Sequence, residues 1–276
     1  MKLVLNSIMA AMLAGAAVPA LALNAAIDAK DVSIQEGAVT GTPNNAIVAD
    51  QLNGNYTEIF SATSATTFNT LAVFNATGWT NNGSSVPAYL NSLAPNGYNL
   101  YAVFQSDGSF SSSGGVTTFN GGNGTLQLWA DASQDTTKAL PGTAAGNTIA
   151  SITLGNTADD QLLGTASLLT AGNGHGFPGT GANGDFELVF GDWTLNGPAG
   201  SNGDAYFTAP RPFYMVLDLN GNFQSFDPLS ATDILLPQSS ANAFFTIPEP
   251  GPLALMGVGM AAMGLSLRRR KGKAKA

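Results

Sequence analysis

The chain has 276 residues, of which only 10% are charged and 44% hydrophobic, and it has no cysteine. Disulfides and thiolate metal sites are therefore excluded, ordinary disorder is disfavoured, and there is apolar material for a sizeable core in one or two domains. The formal charge is −8, but residues 23–246 alone hold three basic against seventeen acidic side chains, a net −14 that repels nucleic acid and anionic lipid.

Residues 1–22 read as a secretory signal peptide. Lys2 supplies the positive start, residues 3–18 an apolar stretch, and Ala20 and Ala22 the small residues of an A-x-A cleavage site. The competing reading is a buried N-terminal helix, against which polar sequence begins abruptly after Leu23.

Residues 23–246 read as an exported domain made of many short strands. Residues 68–74 and 98–104 are rich in β-branched and aromatic side chains. Residues 124–129 and 185–190 alternate apolar with polar, the latter continuing through Trp193 and Leu195. Asn220-Gly221 predicts a hairpin turn between residues 213–219 and 222–226, and Asp107-Gly108 a second one after residues 98–104. Gly-, Asn- and Ser-rich stretches at 81–85, 111–115, 120–124, 172–184 and 196–203 punctuate the strands as turns and loops. Residues 131–140 are the one place for a short helix or helical turn. This spacing predicts an all-β fold, an antiparallel sandwich or jelly-roll-like domain.

Chemistry is sparse in this region. His175 is the only histidine and sits between glycines, where a solvated loop residue is the ordinary reading rather than a triad or zinc ligand. Asp131 with Asp135, Asp159 with Asp160, and the run Asp218-Leu219-Asn220-Gly221-Asn222 offer oxygens to calcium; their plainer reading is turn residues in water. No cofactor is expected, calcium being the one ion that the residues suggest. Asp185, Glu187 and Asp192 are the candidates for a glycosidase carboxylate pair, or simply the polar side of a strand whose Phe186, Leu188 and Phe190 face the core. Trp79, Trp129, Trp193 and the tyrosines are candidates for a sugar-stacking platform, or else core. The sequons at Asn55, Asn75, Asn82 and Asn123 carry little weight in so Asn- and Thr-rich a chain.

Residues 247–276 have three parts in order. Pro248-Glu249-Pro250 follows Ile247, residues 251–267 are uncharged, and a basic cluster opens with Arg268, Arg269 and Arg270. Seventeen uncharged residues are at the short end of a membrane-spanning helix, and the basic cluster places that end in the cytoplasm. The prolines prevent the helix from extending outward and leave an extended segment. This end resembles the PEP-CTERM sorting signal of Gram-negative bacteria, with isoleucine at 247 where valine is commoner. The resemblance implies processing by exosortase, a membrane transpeptidase-like protease, after transient anchoring in the inner membrane. It also implies a final location at the cell surface or outside the cell.

Stretches of the middle are similar to the PepA group of flocculation-associated PEP-CTERM proteins: residues 52–58, 124–138, 154–160, and 212–214 running on to 220–223. That similarity implies a non-catalytic matrix or surface protein, associated with exopolysaccharide and promoting floc or biofilm formation. The alternatives are a carbohydrate-binding module with a discrete aromatic site, or a polysaccharide hydrolase using Asp185, Glu187 and Asp192. Self-association, with strands adding edge to edge, is a further expectation.

Overall fold

The structure is a computed structural model; it describes residues 29–42, 45–113, 116–139, 152–171, 174–176, 182–195, 202–223 and 234–247. The signal peptide at 1–22, with Ala20 and Ala22, lies outside the described residues. So does the tail beyond Ile247, with Pro248, Glu249, Pro250, Arg268, Arg269 and Arg270. Among the described residues no helix is long and apolar enough to cross a membrane.

The described residues build fifteen strands: β1 (Val32–Gln35), β2 (Ala46–Ala49), β3 (Gln51–Ala62), β4 (Thr67–Asn81), β5 (Ser84–Ser85), β6 (Asn99–Ser113), β7 (Val116–Asp131), β8 (Thr137–Ala139), β9 (Thr153–Gly155), β10 (Gln161–Ala171), β11 (Gly174–Gly176), β12 (Ala182–Thr194), β13 (Phe207–Ala209), β14 (Tyr214–Phe223) and β15 (Ile234–Thr246). Eight of them close on themselves. Antiparallel ladders run β3–β4–β6–β7–β10–β12–β14–β15, and β15 pairs again with β3. Neighbours around the ring are also neighbours in chain order, so this is an up-and-down barrel. The all-β, antiparallel expectation holds, but the two-sheet sandwich or jelly roll does not. The closing ladder joins the first and last long strands, with Gln51 and Asn242 hydrogen-bonded across 191 residues of sequence. Local strand patterns carry no record of such a pairing.

Neither expected hairpin turn forms. Asn220-Gly221 lies inside β14, with Asn220 opposite Ser240 on β15 and Asp185 on β12. Asp107-Gly108 lies inside β6, at an irregularity where Ser106 pairs with Gly124 and Gly108 with Gly121. In both places ladders on two sides outweigh a local turn preference. The tight turn is instead at Asn82-Gly83, with φ of 48° and 74°, joining β4 to β5; both central residues have the positive φ that such a turn requires. The expected helix at 131–140 is also absent: its first residue ends β7 and residues 137–139 form β8.

An eight-stranded barrel is just narrow enough for side chains to fill. Inward residues such as Leu52, Phe74, Leu100, Phe104, Leu126 and Phe190 do so. One end is plugged by Phe60, Phe68, Phe110 and Phe119, with Phe60 and Phe68 stacked at 4.9 Å. The other end is capped by the sheet β2–β1–β13. Phe207 of the cap packs on Phe213 and Phe245 at 5.2 and 6.0 Å. Glu36, beside β1, is fully buried. Its carboxylate accepts from the Tyr89 N–H, the Tyr98 hydroxyl at 2.9 Å and the Asn45 amide. Tyr98 in turn bonds Tyr206 at 2.7 Å. This network fastens the cap to the barrel.

Candidate functional site

Outside the barrel the hairpin β8–β9 lies against the wall. Leu154 and Ile152 pack there on Ile59, Leu71 and Val73. Beside this hairpin the register sets Asn75, Tyr101, Trp129 and Leu162 in one outward row across β4, β6, β7 and β10. The Tyr101 and Trp129 rings lie nearly parallel, 7° apart with centroids at 6.4 Å, and Trp129 is half-buried. A depression of about 150 Å³ opens next to them, lined by Asn75, Asn91, Asn99, Tyr101, Asp131 and Lys138 among others.

The polar groups are held from below. The Tyr101 hydroxyl donates to Asp160 at 2.5 Å, and Thr136 donates to the same carboxylate at 2.9 and 3.1 Å. Burial raises the Asp160 pKa, with nearby Asp131 and Asp159 adding to it and the two hydroxyls opposing. Burial also raises Tyr101, and its bond to Asp160 adds to the shift. The Asp131 carboxylate ties off its own loop, accepting from the N–H groups of Gln134 at 2.6 Å and Thr136 at 2.9 Å and from the Ser133 hydroxyl at 3.0 Å. Burial pushes Asp131 up, but bonds from Thr136, Ser133 and Gln134 prevail and hold it below the usual carboxylate range. Lys138 is half-buried, and desolvation lowers its pKa. Its contact is a long one, 3.5 Å to the Thr57 hydroxyl.

Of the three tryptophans, only Trp129 belongs to this face. Trp79 is 1% exposed and packs on Phe245 in the capped end, and Trp193 packs on Phe213 at 5.5 Å. Asp131, Asp135 and Asp160 do come together through Ser133 and Thr136: Ser133 bridges Asp131 and Asp135, and Thr136 donates to Asp131 from its N–H and to Asp160 from its hydroxyl. Among the described residues no group of three or more metal-ligating side chains forms. On the β12–β14 ladder Glu187 registers opposite Asp218 and Asp185 opposite Asn220, while Asp192 stands at φ 51° near the strand's end. His175 registers between Thr118 and Asp185. Sequence reading included Tyr101 only as one of the tyrosines, and missed Thr136 and Lys138 as neighbours of Trp129. The signal for Tyr101 was there, since it alternates out of phase with Leu100 and Ala102; the reach of Lys138 depends on a hairpin folding back.

At the C-terminal end of the domain, β15 ends at Thr246 and the three-part tail follows in sequence. Residues 246–271 match the PEP-CTERM protein-sorting motif.

The PEP-CTERM match takes in Pro248, Glu249, Pro250 and Arg268–Arg270, and it starts on the last residue of β15. Such motifs are processed by exosortase, and they imply an exported protein, carried through the inner membrane of a Gram-negative bacterium and displayed at its surface. No curated protein and no solved structure matches the chain.

Proposed function

We propose that the barrel is a non-catalytic surface or matrix protein that holds exopolysaccharide through its outer wall at Trp129, with Tyr101 buried beside it as support, and so promotes cell aggregation. The observation that carries this reading is the half-buried Trp129 on the outer wall, its ring nearly parallel to that of the buried Tyr101, which borders a small depression lined by Asn75, Asn91, Asn99 and Lys138 among others. An aromatic face takes the apolar side of a sugar ring, while the amides of Asn75, Asn91 and Asn99 and the Lys138 amine are suited to its hydroxyls. Three of the four stretches similar to flocculation-associated proteins meet on this wall. Residue 57 touches 138, 136 touches 160, and the Asn156 amide donates to the Asp135 carbonyl at 3.0 Å. The packed interior favours binding on the wall over a deep pocket. No cofactor enters this reading, since the Asp131 oxygens are taken by their own loop.

The test is retardation of the mature domain in gels cast with the producer's own polysaccharide, alongside aggregation of a deletion strain complemented with each variant. Trp129→Ala is expected to lose both retardation and aggregation while keeping its thermal unfolding transition. Full retention of both by this variant would sink the proposal. Release of reducing ends from the polymer would instead favour a hydrolase, and one sharp glycan-array hit a discrete binding module.

A further inference from the structure

Both ends of the exported domain emerge at the capped end of the barrel. At the start, the Lys30 N–H donates to the Phe245 carbonyl at 2.7 Å. At the finish, Thr246 pairs with Tyr214 as the last rung of β15, and Pro248 follows one residue beyond Ile247. Only residues 248–250 then separate Ile247 from the uncharged stretch at 251. Three extended residues span roughly 10 Å, so a chain held in the membrane by that stretch has its barrel held close to the lipid.

The surface at this end fits such a neighbour. Among the described residues the exposed large hydrophobic side chains are Val48 at 46%, Leu93 at 99% and Ile247 at 44%. Val48 lies on β2 of the cap, Leu93 in the loop entering β6 at the same end, and Ile247 just past β15. Lys30 and Arg211 belong to this end together with Asp31, Asp50 and Asp204, so its apolar side chains and not its charge suit it to lipid. The connection of β3 to β4 at the opposite end, residues 63–66, is fully exposed and, but for Ala65, made of Ser and Thr.

We infer that the capped end is a membrane-contact face: while the tail is in place, Val48, Leu93 and Ile247 touch the lipid surface and residues 63–66 point away from it. This rests on reading residues 251–267 as membrane-spanning, and it is independent of polysaccharide binding. Single apolar side chains on a surface are ordinary; their placement at the end where both chain termini leave is what gives these a role.

The test uses the chain without its leader, reconstituted in vesicles of phosphatidylcholine and phosphatidylethanolamine. The protein has no cysteine, so Val48→Cys, Leu93→Cys and Ala65→Cys each give one labelling site for an environment-sensitive fluorophore. Flotation with the vesicles, abolished by truncation after Ile247, checks the tethering. The expected result is a blue shift and quenching by spin-labelled lipid at 48 and 93, with neither at 65. Flotation with equal responses at all three sites overturns the orientation alone. Failure to float overturns the tethering and the orientation with it.

Discussion

Single side chains carry two sharp expectations. Glu58 shares the inward face of β3 with Leu52 and Tyr56, and Thr70 donates to it. Burial raises its pKa above the usual 4.5, against the pull of the Thr70 bond. The folded protein therefore keeps this proton to higher pH than the unfolded chain does. Its stabilising effect is complete below the unfolded value and is lost as pH climbs through the folded one. Denaturant unfolding from mildly acid to neutral pH is expected to show that fall in the parent and a flatter profile in Glu58→Gln; equal slopes would refute the assignment. Tyr98→Phe removes the hydroxyl that joins Glu36 to Tyr206. It leaves buried partners one bond short, a cost of about 1–3 kcal/mol, measurable as a lower midpoint without loss of the barrel.

At the scale of elements, the closing strand is where the barrel should be weakest to entropy and strongest in packing. Phe245 is 1% exposed and touches Trp79, Phe207 and Phe213. Phe245→Ala is expected to cost about 3–5 kcal/mol and to speed amide exchange along β15 before β6 or β7. Asn220→Thr tests the disputed turn. In mid-strand it should change stability by less than about 1 kcal/mol, whereas a real turn would be damaged. The same contrast explains what could be read beforehand. Alternation at 124–129 and 185–190 revealed the strands because burial on one face writes itself into neighbouring residues. The Asn-Gly and Asp-Gly dipeptides misled because whether a strand continues through them is decided by partners far along the chain. The sorting motif was legible, its signal being local: prolines, an uncharged run, then cations. The wall site was legible only at Trp129 and its aspartates, since register, which no single segment contains, brings Tyr101 alongside.

For the whole molecule, charge and closure set the behaviour. A domain of −14 repels itself, so the melting temperature of the purified domain is expected to rise with moderate salt as that repulsion is screened; a fall would show that attractive pairs dominate. Closure leaves the barrel wall without a free edge, so among the described residues the open edges are those of the short cap strands, β5 and the β8–β9 hairpin. The order of events during export follows from the same ring. A chain that crosses a membrane from its N-terminus delivers β15 last, and the sorting segment starts on that strand's final residue. Until then β3, paired only with β4, and β14, paired only with β12, each keep one open edge. If residues 251–267 span the bilayer as their lack of charge suggests, the stop that arrests the chain arrives together with the piece that completes the ring. Such an arrest would give the waiting barrel its own last strand at high local concentration, ahead of any strand from a neighbouring copy.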